Sequence, residues 1–232
     1  MSVSLLGLAP SVLAAGDDRP TLLMMGDSLS AAYGLERQED GWVSLLAERL
    51  EGEARVVNAS ISGETTAGGA TRLPELLRQH APEIVLLELG ANDGLRGLAP
   101  RQMRKNLEAM IEASQASGAR VVLLGIDIPP NYGDAYRDAF TGIFEELAAR
   151  FELPLVPFLL EGVALEDGLM QDDGLHPTAQ AQPAILENVW PTLAPLLETM
   201  TAESADGIGQ TPGDRVGAAA PAMLAPSTSA QG

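Results

Sequence analysis

Cysteine is absent from these 232 residues, which excludes disulfide staples, thiolate catalysis and cysteine-ligated zinc or iron–sulfur centres. The fold must therefore rest on its hydrophobic core. Positive charge is also scarce. Fourteen Lys and Arg face thirty-two Asp and Glu, a formal net charge of −18, and such a surface repels nucleic acid and anionic lipid headgroups. No nucleic-acid partner is expected. Lys105 is the sole lysine, and an acid-rich, lysine-poor surface accords equally with a salt-adapted source and with ordinary solubility charge. Histidine is limited to His80 and His176, so any imidazole chemistry has two candidates. No Gly-x-Ser-x-Gly elbow, Gly-x-x-x-x-Gly-Lys loop, Gly-x-Gly-x-x-Gly turn or His-Glu-x-x-His helix occurs. That disfavours the α/β-hydrolase fold and implies neither nucleotide nor metal. No cofactor is expected.

What is present is an α/β pattern. Between residues 21 and 197 short apolar runs alternate with longer amphipathic ones, the form taken by strand and helix units around a parallel sheet. Strands are expected at 21–25, 55–59, 84–89, 121–126 and 155–156. Runs such as Ile84-Val85-Leu86-Leu87 do not alternate with polar residues, as befits strands covered on both faces. The predicted fold is a three-layer α/β/α sandwich with a central parallel sheet of about five strands. Helices are expected at 42–50, 66–79, 101–117, 134–150 and 178–197, the last irregular at Pro183, Pro191 and Pro195. Leu107, Met110 and Ile111 recur at helical spacing and supply a core-facing stripe.

The ends of the chain differ from this middle. The apolar stretch 1–15 closes on Val12-Leu13-Ala14, a small-residue cleavage pattern, although no Lys or Arg precedes Arg19. Gly7 and Pro10 interrupt it and it is too short to span a bilayer. Residues 1–20 are expected to be a signal peptide with a short linker, and the protein periplasmic or secreted. Residues 21–200 are expected to form one monomeric domain. Residues 201–232, rich in Ala, Gly, Pro, Ser and Thr without periodicity, read as a disordered tail.

The residues that carry chemistry lie at the two ends of the domain. Ser28, in Gly26-Asp27-Ser28-Leu29, follows the first apolar strand, where open α/β sheets place their ligands. The position suits a nucleophile and, equally, a serine N-cap on a helical turn. His176, in Asp173-Gly174-Leu175-His176-Pro177, has a carboxylate one turn before it. Asp173 at Nδ1 would leave Nε2 free to accept the serine proton. Gly63, after the second strand, and Asn92, after the third, sit at the same sheet edge. Each suits an ordinary turn, and each also suits an oxyanion donor, Gly63 through its N–H and Asn92 through its amide. Asp27 reads as a brace for the serine loop. His80, ahead of Ala81-Pro82, reads as a helix-terminal cap.

The segments Gly26-Asp27-Ser28-Leu29-Ser30, Gly63, Gly90-Ala91-Asn92-Asp93 and Asp173-Gly174-Leu175-His176, in this order, resemble the four blocks of the SGNH (GDSL) hydrolases. Longer runs, Val57 to Gly63, Glu88 to Gly97 and Met170 to Pro177, are similar to the bacterial periplasmic thioesterase, lysophospholipase and arylesterase branch. The likeness covers about residues 21–197. It implies a flavodoxin-like fold, Ser28 as nucleophile, His176 as base and Asp173 as its partner. The Ser28 N–H, the Gly63 N–H and Asn92 are implied as the oxyanion hole. The implied spacing also selects Asp173 over Asp172. The implied substrates are small acyl esters or thioesters. A carbohydrate O-acetylesterase and a non-catalytic binding domain on the same fold are the competing readings.

Overall fold

The computed structural model describes residues 19–208. Of the expected signal peptide and linker (1–20) and the expected disordered tail (201–232), residues 1–18 and 209–232 lie outside the described residues, whereas residues 201–208, expected in the tail, continue the last helix. Five strands form one parallel sheet: β1 (Thr21–Gly26), β2 (Arg55–Asn58), β3 (Ile84–Glu88), β4 (Arg120–Leu124) and β5 (Leu155–Val156), in the order β2-β1-β3-β4-β5. Parallel pairing requires a crossover after each strand. These are supplied by α1 (Trp42–Arg49), α2 (Thr66–His80), α4 (Pro100–Ala116) and α5 (Asp134–Phe151). A short helix, α3 (Ala91–Leu95), precedes α4, and α6 (Gln182–Ile208) closes the description.

The order dictates the layers. The step from β1 to β2 runs one way across the sheet and every later step runs the other. Right-handed crossovers therefore put α1 on one face and α2, α4 and α5 on the opposite face. On the α1 side, the Trp42 backbone N–H donates to Gln182 Oε1 at 2.9 Å, which joins α1 to α6. Strands β1 and β3 are the most deeply placed. Leu22 to Met25 and Ile84 to Leu87 have no exposed surface at all. Leu107, Met110 and Ile111 of α4 are likewise buried.

Backbone contacts divide the chain into units of residues 1–194 and 195–232, and the site lies in the first. Within it, α6 turns Ile185, Leu186, Val189 and Leu193 into the core. The irregularity expected at Pro183, Pro191 and Pro195 is not found: a 3-10 turn at Ala179–Ala181 precedes the helix, which then runs unbroken through all three prolines to Ile208. Strand β4 stops at Leu124, two residues short of the expected end, and the next residue must be glycine because a Cβ there would lie 2.1 Å from the Pro157 carbonyl oxygen. Gly125 still bonds the Val156 carbonyl and the Leu159 N–H, and the apolar run continues past it away from the sheet.

Candidate active site

All the chemistry-bearing loops leave the carboxyl ends of strands. Strand β1 ends at Gly26, where a Cβ would stand 2.7 Å from Glu88 Oε2, so only glycine fits. The chain then turns through Ala31 N–H to Asp27 carbonyl (3.0 Å) and Tyr33 N–H to Ser28 carbonyl (3.3 Å). These are turns rather than a helix. The cap is Asp27, whose Oδ1 accepts from the Leu29 N–H at 3.1 Å. Ser28 is thereby left with its hydroxyl free for another partner, which decides against its reading as an N-cap.

That partner is His176, 148 positions later, whose Nε2 lies 2.9 Å from Ser28 Oγ. The loop bearing His176 is folded back on itself: Met170 bridges Pro177, and Gln171 N–H donates to the His176 carbonyl at 2.7 Å. The Gln171 side chain adds bonds of 2.9 Å to the carbonyls of Tyr33 and Pro177, so the loops of serine and histidine are fastened together. Gly174, at φ +66°, makes the tight turn between Asp173 and His176.

The two oxygens of Asp173 divide their work. Oδ1 accepts from the N–H groups of Leu175 (2.9 Å) and His176 (3.0 Å), and Oδ2 meets His176 Nδ1 at 2.6 Å. Desolvation pushes this carboxyl up, but the bonds from His176 and the two N–H groups outweigh it and hold Asp173 at about 2. It is therefore ionised throughout the ordinary pH range. Tyr33 covers the imidazole, ring centroids 4.5 Å apart. Among the described residues it is Asp173, and not Asp172, whose carboxylate bonds the His176 ring. His80 ends α2 at the opposite edge of the sheet, ahead of Ala81, which closes the helix in the left-handed region.

The Gly63 and Asn92 loops flank this arrangement. Ile61 N–H bonds the Gly26 carbonyl at 3.1 Å, which ties the loop after β2 to the end of β1. Gly63 has φ +79°, and its carbonyl accepts from Arg96 Nη2 at 2.9 Å. Among the described residues neither the Ser28 N–H nor the Gly63 N–H has a hydrogen-bond partner. The segment Gly90 to Asp93 enters helix α3 rather than a plain loop, with Gly90 at φ +135°. Asn92 Nδ2 donates to Asp27 Oδ2 at 3.1 Å and retains a second hydrogen. Asp93 accepts from the Thr66 N–H (2.8 Å) and hydroxyl (2.6 Å), locking the start of α2 to α3.

Beyond Ser28 and His176 opens a cleft of about 200 Å³, lined by Leu95, Ile126, Ile128, Phe158 and Leu160. This is the use made of the apolar run past Gly125. A larger open hollow of about 440 Å³ near β2, with Gln38, Ser44, Asn58 and Ser60 on its walls, reaches neither Ser28 nor His176.

Residues 24–183 match the GDSL-like lipase/acylhydrolase family. The chain belongs to that family. It is 56% identical over 180 residues to esterase TesA of Pseudomonas aeruginosa, covering 76% of this chain and 89% of the relative. It is 46% identical over 177 residues to thioesterase 1/protease 1/lysophospholipase L1 of Escherichia coli, covering 76% and 85%. Among solved structures, the psychrotrophic esterase EstA of a Pseudoalteromonas species, inhibited by monoethylphosphonate, superposes with a TM-score of 0.73 at 45% identity. That match covers 77% of this chain and 98% of that one. The protein is thus an SGNH-type hydrolase with the α/β sandwich of its family.

Beneath the surface of this hydrolase lies a pair of carboxyls that sequence reasoning only half found. Asp27 was expected as a brace; Glu88 was not singled out, although a carboxylate closing the run Ile84-Val85-Leu86-Leu87 was the signal. Both have no exposed surface. Glu88 Oε2 accepts from Ser30 Oγ (2.7 Å) and the Asp27 N–H (3.2 Å). Burial pushes Asp27 up to about 6 against the lowering effect of the Leu29 N–H and the Asn92 amide. Burial and then the Asp27 charge push Glu88 well above its ordinary 4.5.

A raised folded pKa has a definite sign in stability. The contribution is fully present below the unfolded value near 4.5 and is lost as pH rises toward the folded one, because only the unfolded chain releases the proton. Glu88 thus lowers stability by about 1.4 kcal/mol per pH unit across that window. Denaturant unfolding at rising pH above about 4.5 should show Glu88→Gln losing less stability than the parent; equal slopes would contradict a raised Glu88.

Proposed function

We propose that the protein is a serine esterase and thioesterase that works through an acyl-enzyme on Ser28. The observation that carries this reading is the continuous chain of contacts from Ser28 Oγ to His176 to Asp173, 2.9 and 2.6 Å, at the mouth of an apolar cleft. Asp173, bound to Nδ1, fixes the tautomer whose Nε2 lone pair faces the hydroxyl. His176 takes the Ser28 proton as Oγ bonds to the acyl carbon. The carbonyl oxygen becomes an anion received by the Ser28 N–H, the Gly63 N–H and the second hydrogen of the Asn92 amide. His176⁺ then returns the proton to the leaving oxygen or sulfur, and the bond to it breaks. Water repeats the sequence, losing its proton to His176, and the acid departs from Ser28.

The apolar cleft takes the acyl chain. The cleft is small, about 200 Å³, and apolar along its walls, which favours short to medium chains. Acyl-CoA, a polyanion, approaches a chain of net charge −18 against its field. Uncharged or zwitterionic esters are therefore the favoured substrates. The working unit in this reading is a monomer, and the apolar stretch 1–15 accords with export to the periplasm or beyond.

A panel of p-nitrophenyl esters tests the reading, assayed beside acyl-CoA and lysophosphatidylcholine. Turnover is expected to rise from acetate to about hexanoate and to fall by palmitate. A fluorophosphonate probe is expected to label Ser28 stoichiometrically. No labelling of the folded protein would point to a binding domain, and activity confined to acetate would point to an O-acetylesterase.

A further inference from the structure

We propose that Asp27 and Glu88 hold one proton between them and, as a unit, position the Asn92 carboxamide, so that Glu88 is a positioning residue for the oxyanion hole. The inference rests on the assignment of Asn92 as an oxyanion donor given above.

Three observations carry it. First, the two side chains share one fully enclosed place, tied together by the Asp27 N–H, which donates to Glu88 Oε2 at 3.2 Å. Two negative charges enclosed side by side without water are costly, and a single proton held by the pair removes one of them. Second, Glu88 Oε1 is buried and accepts from no N–H or O–H, whereas Oε2 accepts two bonds. An ionised Glu88 would leave a charged oxygen orphaned; a neutral acid has a hydroxyl to donate. Third, Asp27 uses both its oxygens to fix neighbours, Oδ1 on the Leu29 N–H and Oδ2 on Asn92 Nδ2 at 3.1 Å. Anchoring one amide hydrogen of Asn92 directs the other. His176 is the titratable group outside the pair whose charge acts on Asp27, and it lies across the serine from it.

The division of charge has a purpose in this geometry. Asp27 must remain an acceptor for Asn92, yet two negative charges beside a developing oxyanion would oppose it. A neutral Glu88 donates to Asp27, disperses its charge and leaves a single anion in the pair.

The test combines kinetics with infrared spectroscopy of the full-length protein. In Glu88→Gln the amide oxygen replaces Oε2 and the NH₂ replaces the acid hydroxyl, so kcat/KM for p-nitrophenyl butyrate should stay within about threefold of the parent. Glu88→Leu should fall much further, mainly in kcat. Asp27→Asn keeps an oxygen for the Leu29 N–H but sets an NH₂ against the Asn92 NH₂, and should lose about 10²-fold, the scale of one oxyanion donor. In an Asn92→Ala background that loss should vanish. The parent at pH 8 should show the carbonyl stretch of a neutral carboxylic acid, absent from Glu88→Gln. Should Glu88→Leu fail to fold, the glutamine variant and the spectrum still decide.

The proposal is overturned if Glu88→Gln is as damaged as a folded Glu88→Leu, or if the neutral-acid band is missing. Asn92→Ala within threefold of the parent would remove the oxyanion assignment and the positioning role with it. Asn92→Ala strongly impaired, with Asp27→Asn equally harmful in both backgrounds, would leave the oxyanion assignment standing and refute the positioning role alone.

Discussion

Ser28→Ala is expected to lower kcat/KM for a short p-nitrophenyl ester by about 10⁴-fold or more while the thermal unfolding midpoint stays close to that of the parent. The size follows from the absence of a substitute. Ser30, the nearest other hydroxyl in sequence, is buried and donates to Glu88 Oε2, and Ser60 and Ser62 line the separate hollow near β2. The small cost in stability follows from what the Ser28 side chain does: its hydroxyl touches His176 Nε2 and caps no helix. Residual turnover would come from the oxyanion donors and binding, which survive the change. Loss of less than tenfold would show that another group attacks the ester.

Asp173→Asn is expected to cost about 10³-fold or more in kcat, with KM within a few-fold of the parent. Asparagine can keep its oxygen on the N–H groups of Leu175 and His176, the two bonds made by Oδ1. Its NH₂ then stands where Oδ2 stood and donates to Nδ1. The imidazole is forced into the tautomer with hydrogen on Nε2, facing Ser28 as a donor instead of an acceptor. The backbone of the loop is undisturbed, so the fault lies in one proton's location. Two-dimensional NMR of the ring nitrogens would show the exchanged tautomer, and a drop of less than tenfold in kcat would contradict the orienting role of Asp173.

The layered sheet was open to reading from sequence because buried parallel strands leave uninterrupted apolar runs, as in Ile84 to Leu87. Runs that serve two purposes were harder. Ile126 and Ile128 continue the run of β4 in sequence, yet beyond Gly125 they leave the sheet for the cleft wall. Helix α3 spans only five residues, too few for a periodic pattern to emerge. Ser28, Asp173 and His176 stood out by spacing and type, whereas Glu88 hid among Leu residues because nothing in a linear string reports how deeply a carboxyl is enclosed. The pairing of Gln171 with the Tyr33 carbonyl joins positions 138 apart and has no local signature.

Ser28, Gly63, Asn92 and His176 all hang from one rim of the sheet, and the opposite rim is formed by short turns ahead of β2, β4 and β5. Gly52 and Gly118, at φ +84° and +92° on that far rim, face open space. A fusion partner spliced at either turn, or a solid support attached there, meets the molecule on its inert side and leaves the cleft mouth pointing away. The fold thus comes with a handle as well as a working end.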